Sequence, residues 1–287
     1  MTLSGFALVL TAAFCHAGWN FFYKRMGGGL ELIWLFSAVS AVLYAPLAAY
    51  VLLHASANLT AQQWLFIAGS TAWHLTYFVV LQRGYRVGDL SMVYPTARAT
   101  GPLLTTIIAV AFLGETVSVQ SGFGIALIIG GVLMLSGVFK QGTKTQAAST
   151  SILFGLFVGT LIAGYTLWDS HAVAVLLIPP LLLDYFPSLA RTALLAPIAL
   201  KRKEEVAALW ANHRPGIFAV AVLAPLAYIL VLYALTFTAV TYVAPTRELS
   251  VLLTVLLGTL VLKEGDTKNR LIWAGVMVFG VGLLATG

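Results

Sequence analysis

Apolar residues run almost without interruption along this chain, and the polar positions that break them recur at intervals of about twenty residues. Runs of roughly 17 to 25 apolar residues are what an α-helix needs to cross a hydrocarbon core about 30 Å thick. Ten such runs are present, at about residues 3–23, 31–53, 64–82, 91–113, 119–139, 152–172, 175–199, 215–236, 240–262 and 270–286. Hydrocarbon offers no water to backbone N–H and C=O groups, so each run is predicted to be a helix bonded within itself. The fold class that follows is an all-α integral membrane protein with ten transmembrane helices. The first run lacks a basic lead-in and a small-residue cleavage pattern, and reads as a span, not a signal peptide. Pro179, Pro180 and Pro187 predict a kink in the seventh helix.

Composition strengthens this picture: of 287 residues, 60% are hydrophobic and 9% charged, which excludes an ordinary soluble domain. The formal charge of +6 does not point to nucleic acid, because the basic residues sit in short loops and form no soluble basic face. Lys24, Arg25, Arg83, Arg86, Lys140, Lys144, Lys201, Arg202, Lys203, Arg214, Lys263, Lys268 and Arg270 all fall in odd-numbered loops, and none falls in an even one. The positive-inside rule therefore places odd loops in the cytoplasm and both termini outside, in a cytoplasmic (inner) membrane. Cys15 is the only cysteine and cannot form a disulfide within the chain. There is no CxxC or HExxH, so no metal is expected, and no Walker loop, so no ATP hydrolysis. No cofactor is expected; a proton is the candidate coupling ion.

Shifting the chain by half its length aligns Pro95-Thr96 with Pro245-Thr246 at a shift of 150, and Arg98, Thr105 and Glu115 with Arg247, Thr254 and Glu264 at 149. Ala17-Gly18-Trp19 aligns with Ala163-Gly164-Tyr165 at 146. Two repeats follow, residues 1–144 (spans one to five) and 145–287 (spans six to ten), joined by the polar stretch "KQGTKTQAASTS". Five crossings per repeat turn the second upside down relative to the first, a plan of secondary transporters with a substrate site near the midplane. Glycine-rich stretches in spans five and ten suit close helix packing, between those two spans or with a second copy.

Polar side chains within spans are expected to face the bundle interior. On span one His16, Trp19, Asn20 and Tyr23 share a helix face; on span three Trp73, His74 and Tyr77 do the same. Span four offers Tyr94, Arg98 and Thr105, span six Tyr165, Trp168 and Asp169, span eight Tyr228, and span nine Arg247, Glu248 and Thr254. These stripes are candidates to line one cavity, with packing or interfacial belts as the competing role for the aromatics. A buried guanidinium at Arg98 or Arg247 can grip a carboxylate or phosphonate with two parallel hydrogen bonds. Neighbouring residues on a helix point about 100° apart, so Glu248 is free to face Arg98 instead of Arg247. Asp184 and Arg191 share a face of span seven and are read as a structural or gating pair; Asp169, near the end of span six, is expected at an exposed mouth.

The stretch "RGYRVGDLSMVYPTARATGPLLTTIIAVAFLGETVS" resembles the fourth-helix region of EamA-domain transporters of the drug/metabolite transporter superfamily, and "TYVAPTRELSVLLTVLLGTLVLKEG" resembles the same element in their second repeat. "HAGWNFFYKR" and "AGYTLWDSHAV" resemble the first helices of the two repeats. The resemblance implies ten helices in two inverted five-helix repeats around a central cavity, alternating access, and export of amino acids or related metabolites, often against protons. Many bacterial relatives keep their termini in the cytoplasm, opposite to what the loop charges of this chain indicate.

The function expected is a secondary transporter, not an enzyme, exporting small metabolites and above all amino acids. Its substrate-binding candidates are His16, Trp19, Asn20, Trp73, His74, Tyr77, Tyr94, Arg98, Tyr165, Trp168, Tyr228, Arg247 and Glu248. Its partners are a small-molecule substrate and membrane lipid, with no nucleic acid, and it acts as a monomer or homodimer. One alternative is uptake of anionic solutes such as phosphonates, suggested by an excess of buried arginine over buried acid. Another is a lipid-head-group enzyme or scramblase, which needs a charged cluster at one interface.

Overall fold

The computed structural model describes residues 2–27, 29–55, 59–87, 90–135, 146–260 and 267–287, and among them every regular element is helical. The helices are α1 (Leu3–Met26), α2 (Leu30–Ala55), α3 (Ala61–Val87), α4 (Leu90–Phe112), α5 (Val119–Leu135), α6 (Gln146–Ala174), α7 (Pro180–Lys201), α8 (Lys203–Leu235), α9 (Val240–Thr246), α10 (Leu249–Leu260) and α11 (Thr267–Thr286). Five stretches, within α1, α2, α3, α6 and α8, are long and apolar enough to cross a membrane. The polarity of the molecule is that of a membrane protein: Phe112, Leu53, Val119 and Phe279 are exposed while Arg98, Asp169, Arg247 and Glu248 are buried. The chain is a multi-pass membrane protein.

Three elements depart from the sequence expectation. The seventh span does not begin at 175. Leu177 takes φ +54°, and α7 starts at Pro180, whose missing N–H costs nothing at the first helical position. The eighth span is preceded by helix instead of loop, since Lys203–Leu235 is continuous except at His213 (φ −131°, ψ 21°). Residues 203–212 form a linker helix whose Val206, Leu209 and Trp210 pack on a cluster containing Leu32, Phe36 and Ile217. The ninth span is broken, with Arg247 and Glu248 in a turn between α9 and α10. The division at 144/145 and residues Lys140, Lys144, Lys263 and Glu264 lie outside the described residues.

Helix packing follows a two-fold pattern. Exchange α1 with α6, α2 with α7, α3 with α8, α4 with α9–α10, and α5 with α11. The contacts α1·α8 and α3·α6 then interconvert, as do α4·α6 and α1·α10, α2·α8 and α3·α7, and α4·α5 and α10·α11. The pairs α2·α7, α5·α11 and α4·α9 map onto themselves. Glycines set the closest approaches. A Cβ on Gly159 of α6 would lie 2.5 Å from the Thr100 Cβ of α4, and one on Gly124 of α5 would lie 2.6 Å from the Gly280 carbonyl of α11. The glycine stripes of α5 and α11 thus meet each other within one chain.

Candidate functional site

The break between α9 and α10 starts from Pro245, which has no N–H to return to the preceding turn. The chain tightens there. Glu248 N–H bonds the Pro245 carbonyl at 3.0 Å, Ser250 N–H the Arg247 carbonyl at 3.1 Å, and Val251 N–H the Glu248 carbonyl at 2.9 Å, all three residues apart. This turns Glu248 and Ser250 together toward α4. The Arg98 Nε lies 2.9 Å from Glu248 Oε2, and its Nη2 donates to Ser250 Oγ at 3.0 Å. Arg98 is 7% exposed and Glu248 1%, so the pair is a buried ion pair between the two halves. Arg247 is 8% exposed, and neither its Nε nor its Nη2 has a partner. The guanidinium groups of both arginines lie within electrostatic reach of His16 and Tyr94.

Opposite charge collects on α6. Asp169, expected at an exposed mouth, is instead fully buried at 0%. Its distance from the end of the helix misjudged its depth, because α3 and α8 both pack on α6 and cover that end. Asp169 Oδ2 accepts from Tyr228 Oη at 2.5 Å and lies 2.9 Å from His74 Nε2, while Oδ1 has no partner. Tyr165, one turn before Asp169, packs its ring 4.5 Å from His74, 5.5 Å from Tyr77 and 6.3 Å from Tyr228. Tyr228, bonded to Asp169, also lies within the electrostatic field of Arg247.

The remaining candidates serve packing or are satisfied locally. Trp168 donates its Nε1–H to the Phe66 carbonyl at 2.9 Å and stacks on Phe66 at 4.3 Å, tying α6 to α3. Trp73 lies against Gly164 of α6. Trp19 donates to His16 Nδ1 at 3.3 Å and packs with the cluster around Leu32, and Asn20 donates to the His16 carbonyl at 2.9 Å. Asp184 and Arg191 make no ion pair within 4 Å. Arg191 spends its donors on Ser37 Oγ at 3.0 Å and Ser188 Oγ at 3.2 Å. The stripes meet in one cluster in which Asp169 and Glu248 are sealed from solvent, while His16, His74, Tyr77, Tyr94 and Tyr228 are only partly buried.

Ser250 is the participant that sequence reasoning passed over, and it carries no signal of its own; Asp169 stood on the stripe with Tyr165 and Trp168 but was assigned to an exposed mouth. Glu115, seen in the sequence only as a repeat match, has a defined task. Its Oε1 accepts from Val240 N–H at 3.0 Å and its Oε2 from Thr241 N–H at 2.9 Å, so it caps the start of α9 from the first half. Two clefts lie away from this cluster. One, of about 560 Å³, sits between Leu8 of α1 and Leu230 and Phe237; another, of about 330 Å³, lies beside Gly29, Glu205 and His213. Beside the second, Arg202 Nη1 donates to Glu31 Oε1 at 2.5 Å.

The sequence profile of the EamA-like transporter family matches twice, over residues 3–137 and 149–286. A 70-residue stretch is 37% identical to the multidrug resistance protein EbrB of Bacillus subtilis (strain 168), and equally to that of Bacillus atrophaeus. That stretch is 24% of this chain and 60% of either relative, so the chain spans about 60% of the length of the curated relatives it matches. A solved crystal structure superposes over 98% of both chains with a TM-score of 0.72 at 15% identity, a likeness of fold.

Proposed function

The chain belongs to the EamA-like transporter family, and we propose that it exports amino acids or closely related metabolites across the cytoplasmic membrane by alternating access. The moving bodies are two inverted five-helix repeats, a reading supported by the exchange symmetry of the helix contacts. The single observation that carries the proposal is Arg247. A buried guanidinium with two donors unpartnered is costly, and it is relieved by a carboxylate that arrives, is carried and leaves. Arg98, held by Glu248 and Ser250, is the fixed member of the cluster; Tyr77, Tyr94, Tyr165 and Tyr228 wall the path. His16 and His74 stand beside the charged centres as the candidate proton carriers.

The phosphonate alternative rested on more buried arginine than acid. With Asp169 buried, Arg98, Arg191 and Arg247 are matched by Asp169, Asp184 and Glu248, which removes its motive. The lipid-enzyme alternative has no support from charges that gather in the interior on different helices. A second reading, export of cationic amphipathic drugs, is favoured by the name of the EbrB relatives together with the aromatic rings around Asp169. Counterflow in proteoliposomes separates the two, using pooled labelled amino acids in one arm and ethidium in the other. Saturable amino-acid flux that Arg247→Gln abolishes is the result expected; ethidium flux without it selects the drug reading, and no flux in either arm overturns the proposal.

A further inference from the structure

Among the described residues the interior holds unsatisfied groups of both charges on Arg247, Asp169 and Glu248, of which only Glu248 is paired with an arginine, Arg98, at its Oε2. Arg247 presents Nε and Nη2 without acceptors at 8% exposure, and Asp169 presents Oδ1 without a donor at 0%. Arg98 has the Glu248 carboxylate and Ser250 close by, which leaves Glu248 Oε1 idle but its charge paired, and Arg191 has Ser37 and Ser188. A carboxylate sealed from water with one oxygen idle is as costly as the idle guanidinium, and neither is in a position to relieve the other directly, since no ion pair joins them. Tyr228 is bonded to Asp169 and feels the charge of Arg247.

We propose that Asp169 is the ammonium subsite of the transport site, so that the substrate is read at two poles, its carboxylate by Arg247 and its protonated amine by Asp169 Oδ1. This rests on the transport reading above and names the part of it that selects zwitterions over simple acids. Three features beyond the idle oxygen support it. The rings of Tyr165, Tyr228 and His74 surround the carboxylate, and aromatic faces attract an ammonium once water is excluded. Tyr228 and His74 both sit on Oδ2, which fixes the carboxylate and leaves Oδ1 as the free acceptor. Charge is the third. The three intramembrane arginines are equal in number to the carboxylates Asp169, Asp184 and Glu248. A zwitterion adds no net charge to this low-dielectric interior, whereas a plain carboxylate or a plain amine leaves one pole uncompensated.

The test uses the full chain in lipid nanodiscs and matched trios that differ only at the poles. These are leucine, 4-methylpentanoate and 3-methylbutylammonium, and phenylalanine, 3-phenylpropanoate and 2-phenylethylammonium. Binding is read by intrinsic tryptophan fluorescence and by the shift in melting temperature. In the parent, the zwitterion of at least one trio binds about tenfold or more tightly than either of its one-pole analogues, the loss expected when a buried charge is left unpaired. In Asp169→Asn its affinity falls to that of the acid analogue while the acid analogue is unchanged; in Arg247→Gln the acid analogue no longer binds. Should Asp169→Asn not fold, the parent's ranking within each trio decides alone. Equal binding of zwitterion and acid in the parent, or a zwitterion advantage that survives Asp169→Asn, overturns the inference while leaving the Arg247 reading standing. Acid binding insensitive to Arg247→Gln, or no binding by any of the six compounds, overturns both.

Discussion

At the scale of single residues, the two members of the sequence pair Arg247-Glu248 do different work, and stability separates them. Glu248 neutralises Arg98 in a sealed interior, so Glu248→Gln leaves two buried cations and is expected to cost about 3–5 kcal/mol. Arg247 has no partner at Nε or Nη2 to lose. Arg247→Gln is therefore expected to melt at or above the parent while abolishing counterflow, and melting curves of the two variants side by side check this. If Arg247→Gln melts as low as Glu248→Gln, Arg247 is structural. The orientation of Glu248 toward Arg98 was legible in the sequence because adjacent helical residues diverge. Asp169 was not, because distance along a helix measures depth only when the helix end is uncovered, and here α3 and α8 cover it.

At the scale of elements, hydrophobic run length located the helices, since it measures the same quantity the bilayer selects, with some ends displaced by five or six residues, as at 152 against Gln146 and 175 against Pro180. It was blind where helix formation has another cause. The linker helix 203–212 is polar on one face and is held by Val206, Leu209 and Trp210 against the cluster around Leu32, which no span-length pattern reports. The turn at 247–248 carries no glycine, and Pro245 was its one visible signal. Short α9 has seven residues and no side-chain cap of its own, so it depends on Glu115 from the other half. Glu115→Ala is expected to cost about 1–2 kcal/mol, and hydrogen exchange at the Val240 and Thr241 amides should speed up first. Exchange unchanged there would mean α9 is held by packing alone. The α4·α6 seam is tested separately: Gly159→Val drives a side chain into Thr100 and is expected to destabilise by about 1–3 kcal/mol, read as a lower melting temperature with Gly122→Val, where the space is open, as the control.

At the scale of the whole molecule, exchanging the halves carries the main helix pairs into one another, though not at equal extent, so the pairing of helices alone does not fix which face meets the cytoplasm. That choice falls to the loops. Thirteen Lys and Arg residues lie on the odd-loop side and none on the even-loop side, and translocating each of them is opposed during insertion. Under the transport proposal, orientation sets which compartment each face of the bundle meets, while the gradients across the membrane set the direction of net flux. In a Cys15→Ala background, Ala61→Cys at the start of α3 and Ala207→Cys on the linker helix place single exposed thiols on opposite faces. A membrane-impermeant maleimide is expected to label Ala61→Cys in intact cells and Ala207→Cys only after permeabilisation. The opposite pattern would mean that the short basic loops had been carried across the membrane, and the termini would then be cytoplasmic. Equal labelling of both thiols in intact cells would point to dual insertion, in which a contact pattern indifferent to direction is used both ways.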